Sequence, residues 1–177
     1  MIAKIWITFI MLSALIAGVA LYYFQVYAYY VEISPQDANV QMVSLTSGEA
    51  EPIAFDNFQA IDSDSSPLRY RACYEMPASL AMLTETYQIA EDAEPRVAPG
   101  WFDCFDAAQI GADLQAGIAV GFVGQRDVKY GIDRIVAVYP EGRAYAWHKI
   151  NACGEVVFDG NPAPEGCPPP RKALADA

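Results

Sequence analysis

A catalytic triad or dyad in this chain has to use His148, its only histidine. A nucleophile–base pair would join it to a Ser or a Cys. No Gly-x-Ser-x-Gly elbow occurs, and the cysteines have a better use, so His148 reads first as a structural residue in a strand. Asp103 and Asp106 flank Cys104-Phe105 beside Trp101 and have the residue types of an acid–base pair. Asp106 also has a simpler duty as the cap of a helix. Arg69 and Arg71 fall on one face of a strand, where two guanidinium groups could clamp a carboxylate or a phosphate. Pairing with the chain's own Asp and Glu is the commoner use of such residues. The run Ile61-Asp62-Ser63-Asp64-Ser65-Ser66 alternates carboxylates and hydroxyls but lacks the Gly and closing Glu of a twelve-residue calcium loop. It reads as a solvated turn.

The four cysteines are Cys73, Cys104, Cys153 and Cys167. No Cys-x-x-Cys, haem-attachment or paired metal-ligand spacing occurs among them, so two structural disulfides are expected and neither a metal nor a cofactor is implied. Of the three possible connectivities, Cys73 with Cys104 and Cys153 with Cys167 is favoured. The second bridge would close a loop rich in Gly and Pro.

That reading requires an oxidising compartment, and the N-terminus supplies one. Residues 5–24 carry no charge. Twenty residues at about 1.5 Å each cover the roughly 30 Å of a bilayer's hydrocarbon. A cleaved secretory signal is the rival reading, with Lys4 as its basic start and Gly18-Val19-Ala20 as a cleavage site. Against cleavage stand Tyr22, Tyr23, Phe24, Tyr27, Tyr29 and Tyr30, an aromatic belt where the helix would leave the membrane. The positive-inside rule then puts the short N-terminus in the cytoplasm and the following domain in the periplasm, the helix sitting in the inner membrane. Ser13 with Ala17 and Ala14 with Gly18 are two small-xxx-small spacings, which let membrane helices approach closely.

Beyond that helix lie all 22 Asp and Glu against ten of the 11 Lys and Arg, a net charge of −12. Nucleic acid is a poor partner for such a surface, and anionic lipid should repel it. The expected division is an anchor at 1–30, an extracytoplasmic α+β domain at 31–170 and a disordered tail at 171–177. Within the domain, strands are expected at 40–45, 53–58, 68–74 and 117–124. A hairpin is expected from 132–139 and 143–151 around Pro140-Glu141-Gly142, with Tyr139 facing Arg143. That register sets Ile135 against Trp147, Ala137 against Tyr145, Asp133 against Lys149 and Arg134 against His148.

Two short helices should pack on one face of this antiparallel sheet. One starts at Pro77 and carries Leu80, Leu83 and Tyr87 on an apolar stripe with Met76 before it. The other covers 107–116, with Asp106 as N-cap, Gln109 in capping-box position, Phe105 and Ile110 as a hydrophobic staple and Gly117 as the stop. The stretch 159–170 holds four Gly and Pro residues before Cys167 and three prolines after it, and reads as a stapled loop with an extended, polyproline-like end.

Four motifs run along the chain: Tyr-Tyr-Phe-Gln-Val-Tyr-Ala-Tyr-Tyr at the membrane exit, Arg-Tyr-Arg-Ala-Cys from Arg69, Ala-Pro-Gly-Trp-Phe-Asp-Cys-Phe-Asp-Ala from Ala98, and Ile-Asn-Ala-Cys-Gly-Glu from Ile150. Together they resemble an uncharacterised family of short single-pass membrane-anchored proteins from alphaproteobacteria. The resemblance implies the anchor, the compartment and the disulfides, and it implies no activity. The expected function is therefore an accessory or interaction protein of the cell envelope, contacting lipid through its helix and another envelope protein through its domain. The alternative is a membrane-anchored hydrolase using His148 with Asp103, Asp106 or Arg71.

Overall fold

The computed structural model describes residues 2–168. The tail expected from Arg171 lies outside the described residues. α1 (Ile2–Tyr23) continues into a π-helical turn over Phe24–Ala28 and leads straight into β1 (Val31–Ile33). The stretch Lys4–Ala28 is the one helix among the described residues long and apolar enough to cross a membrane. From Ile5 to Leu21 its large apolar side chains are each at least 54% exposed, so nothing among the described residues covers them.

Strands β4 (Asp56–Asp62), β5 (Arg71–Glu75), β6 (Val120–Lys129), β7 (Ile132–Val138) and β8 (Arg143–Ile150) join β1 in a six-stranded antiparallel sheet of order β1-β4-β5-β8-β7-β6. The β7–β8 hairpin has the expected register throughout, from Ile132 opposite Ile150 to Val138 opposite Ala144. Its turn closes with Gly142 at φ +96° and the Gly142 N–H on the Tyr139 carbonyl. A Cβ there would meet the Met76 carbonyl at 2.6 Å, so glycine is required twice over. β2 (Gln41–Val43) and β3 (Ala50–Pro52) form a separate hairpin.

Both faces of the large sheet are buried, which corrects the expectation of two helices on a single face. Tyr70, Ala72, Tyr74, Val136, Val138, Ala144 and Ala146 point to one side, against Val40 and Met42 at the small hairpin and Leu83 of α2 (Leu80–Thr86). Cys73, Ile135, Ala137 and Trp147 point to the other, against Phe105 and against Ile110 of α3 (Ala107–Gln115). Fully burying a side chain such as Met42, Leu83 or Ile132 is worth about 1.5–3 kcal/mol, so each layer contributes substantially.

Local chemistry sets the helix ends. α2 begins later than the expected start at Pro77: the Ser79 hydroxyl accepts from the Met82 N–H and caps it, so the helix begins at Leu80. In α3, Asp106 accepts from the N–H groups of Ala108 and Gln109 at 3.0 and 3.1 Å. Phe105 and Ile110 are both buried, and Gly117 takes φ +70° after the last turn. Gln109 does not reach back to close a capping box; it donates to Asp113 instead. A third short helix, α4 (Ala152–Phe158), follows β8 directly, capped by the Asn151 side chain on the Gly154 N–H.

Several strand boundaries differ from expectation. Residues 53–58 do not form one strand: β3 ends at Pro52 and β4 begins at Asp56. The expected solvated turn at Ile61–Ser66 begins inside β4, which runs to Asp62, with Ile61 fully buried and Ser63 nearly so. The Asp133–Lys149 pair keeps its register, but Lys149 turns to Asp92 while Asp133 accepts from the Asp127 N–H and the Asn151 amide. Disulfides Cys73–Cys104 and Cys153–Cys167 are formed, with Cα–Cα distances of 6.3 and 5.8 Å. The first ties β5 to the loop before α3, and the second ties α4 to the C-terminal loop.

Candidate functional site

The residues singled out for chemistry do not converge. His148 and Arg71 come from neighbouring strands but point to opposite faces of the sheet. Asp106 is spent on capping α3. Asp103 lies on a groove of about 550 Å³ beside Trp101 and Cys104, away from both.

His148 contacts both Tyr70 and Arg134, which also contact each other. Its ring stacks on Tyr70 with centroids 4.6 Å apart, and the Arg134 guanidinium lies 4.0 Å from the centroid of that same tyrosine ring. Nδ1 is 2.6 Å from the Pro67 carbonyl, which can only accept, so Nδ1 carries the proton. Nε2 then accepts from Nε of Arg134 at 3.1 Å. Burial, reinforced by the positive charge of Arg134, pulls the imidazole down to about 4. Both nitrogens are engaged, which leaves neither free to deprotonate a nucleophile.

Arg71 is buried and donates to four backbone carbonyls: Arg96 and Val97 across the sheet face, and Leu68 and Tyr70 nearby. Its guanidinium also faces the Phe105 ring at 5.7 Å. Neither the anion clamp nor the expected Asp or Glu partner describes it. Burial lowers its pKa to about 10, still fully charged at neutral pH. Its role is to fix the loop carrying residues 96 and 97 onto the sheet.

That loop leads to the contact that sequence reasoning missed. Trp101 Nε1 donates to the Val26 carbonyl at 2.7 Å, across 75 residues. Val26 lies in the π-helical turn, where carbonyls run out of helical partners, so the indole acts as a cap on the end of the apolar helix. Tyr27 stacks on Trp101 at 6.1 Å and Tyr30 meets it edge-on at 5.7 Å. Arg69 adds a cation over the rings of Tyr29 and Tyr30 at 5.9 and 5.4 Å. The aromatic belt is thus half of a clamp. The only sequence signal for the other half was a Trp in a Pro- and Gly-containing loop.

Ser13, Ala14, Ala17 and Gly18 lie exposed on α1. The Ser13 hydroxyl bonds back to the Ile10 carbonyl, and nothing lies within 4 Å of a Cβ built on Gly18. Elsewhere, an open groove of about 570 Å³ runs between residues 89–95, α3 and β6, with Glu91, Asp92 and Glu94 on its rim. In the last turn of α3, Asp113 accepts from the Tyr139 hydroxyl at 2.7 Å; burial and that bond push the phenol up, and the same bond holds the carboxyl below its usual range. Among the described residues no group of three or more His, Cys, Asp or Glu side chains is placed to hold a metal ion.

A family model described as a family of unknown function (DUF6446) matches residues 40–168. No curated protein and no solved structure matches the chain.

Proposed function

Starting from the fact that the chain belongs to this family of unknown function, we propose that it is an accessory or interaction protein of the cell envelope. In this reading α1 sits in the inner membrane with its N-terminus in the cytoplasm, and the acidic domain is held in the periplasm. The observation that carries the proposal is the continuity of α1 with the domain: the apolar helix runs without a linker into the turn that Trp101 holds at Val26 and then into β1, so a cut after Ala20 would fall inside the helix.

Two further features support the reading. The large apolar side chains of α1 from Ile5 to Leu21 are left exposed by the other described residues. The two disulfides suit an oxidising compartment. We prefer it to a hydrolase because His148 has both nitrogens committed and Asp103, Asp106 and Arg71 do not share a cleft with it.

The small-residue spacings on α1 are then the contact with a membrane partner, because they allow close helix approach. Photo-crosslinkers placed at Ala14 and Gly18 of the full-length protein in its own membrane test this. The same protein subunit should be captured from both positions, and the adduct should disappear when Ser13 and Ala17 are replaced by Leu. Lipid adducts alone would contradict the interaction role.

A further inference from the structure

We propose that the loop Arg96–Trp101, together with Arg69, lies in the headgroup layer of the bilayer and binds the phosphate of anionic phospholipid. The proposal rests on the reading that α1 spans the membrane, and it follows from where the clamp sits along that helix.

Counting twenty residues from Ile5 reaches Phe24 at the edge of about 30 Å of hydrocarbon. Val26 is roughly 3 Å further along, inside the headgroup layer of about 5–7 Å. Trp101 bonds to the Val26 carbonyl, so the indole and the loop attached to it share that depth. Trp and Tyr favour this position because one end of each ring system is apolar and the other is wet. Val97 on the same loop is 81% exposed, the most exposed large apolar side chain of the described chain, α1 included. In water it would be an unexplained cost; at a membrane surface it meets the lipid.

Charge singles out the same place. The domain as a whole is strongly acidic and should be repelled by an anionic leaflet. Yet three of its ten cationic residues gather at the clamp. Arg71 Nε bonds the Arg96 carbonyl at 2.8 Å, and Arg69 covers the belt residues Tyr29 and Tyr30. Arg69 buries Nη1 without an acceptor while its side chain is part-exposed, Arg96 is exposed, and neither is in an ion pair among the described residues. Arg71 spends its donors on carbonyls, so Arg96 and the remaining donors of Arg69 are the groups that meet phosphate oxygens. Glu32 and Asp103 line a groove that Trp101 also lines, so the junction carries acidic groups as well as basic ones.

The test uses full-length protein reconstituted in phosphatidylcholine vesicles with and without phosphatidylglycerol. All four native cysteines are in disulfides, so Val97→Cys and Leu12→Cys each offer a single thiol for a nitroxide. Collision with oxygen against a water-soluble nickel chelate reads the depth of each label. The expected result is a hydrocarbon signal at Leu12 and an interfacial one at Val97. A hydrocarbon signal at Leu12 with a fully aqueous Val97 overturns this proposal alone; an aqueous Leu12 overturns the membrane anchor, and the proposal with it. Spin-labelled phosphatidylglycerol should be held in preference to spin-labelled phosphatidylcholine. Arg69→Gln and Arg96→Gln should each cut that preference roughly fivefold, the size expected for one cation near an anionic surface, while Arg69→Lys should keep it. Unchanged preference in both glutamine variants, or preference kept only because another protein copurifies, would overturn the lipid assignment.

Discussion

The neutral state of His148 makes a quantitative claim about acid stability. In the unfolded chain the imidazole takes a proton near 6.5; in the fold, burial and Arg134 hold it neutral until about 4. Between these values the unfolded chain holds more protons than the native one, so stability must fall as the pH falls through that window. Above about pH 7 the group contributes nothing to the slope. Integrated over the whole window the loss is about 3 kcal/mol, and about 2 kcal/mol of it has gone by pH 5.

His148→Gln keeps a donor for the Pro67 carbonyl and an acceptor for Arg134 while removing the titration. Urea unfolding of the full-length protein in mild detergent, followed by the fluorescence of the buried Trp147, measures both proteins at pH 7 and pH 5. Carboxylates titrate in both, so the difference isolates the imidazole. Wild type should lose about 2 kcal/mol more than the variant on going to pH 5. Equal losses would refute the assignment of a buried, doubly bonded neutral ring. A proton NMR titration of the single histidine with a midpoint near 6.5 would refute it as well.

Three other perturbations read out separate parts of the structure. Trp101→Phe keeps the ring over Tyr27 but removes the donor to the Val26 carbonyl; one hydrogen bond is worth about 1 kcal/mol net, so amide exchange at Tyr27–Tyr30 should quicken roughly fivefold while the domain core stays protected. Replacing Cys73 and Cys104 together by Ala should cost about 4 kcal/mol and the Cys153/Cys167 pair about 3 kcal/mol by loop length, measured by denaturant unfolding; an equal or reversed order would show that the bridges act through native contacts instead. Gly154→Ala should destabilise by about 1–3 kcal/mol, because its new Cβ would lie 2.3 Å from the Gly131 carbonyl oxygen, whereas Gly100→Ala, with open space around it, should be close to neutral.

The parts legible in sequence were those where several local signals agree. At β7–β8 the Pro-Glu-Gly turn, the alternation and the cross-strand pairs all point to one register, and that register is the one formed. At α3 the Asp106 cap and the Phe105/Ile110 staple mark the start independently of hydrophobic periodicity. α4 was missed because Gly154, Val156 and Val157 are weak helix formers; its placement depends on Gly154 meeting Gly131, a tertiary contact. The two-faced burial of the sheet was hidden because Arg69 and Arg71 alternate with apolar residues as in a half-exposed strand, whereas Arg71, Ala72, Cys73 and Tyr74 are buried in succession. The strand facing of Arg134 and His148 was readable, but the commitment of both ring nitrogens was not, since Pro67 lies 81 residues away in sequence. The clamp itself joins residues too distant for any periodic pattern to reveal.

The central claim is that the apolar helix remains attached to a domain delivered to an oxidising space. It is tested most directly by the intact mass of the protein extracted from its native membrane with free thiols alkylated at the moment of lysis. A mass that includes residues 1–30 and carries no alkyl group, with both bridges formed, is what the account predicts. A mature chain beginning after Ala20, or four alkylated cysteines, would contradict it.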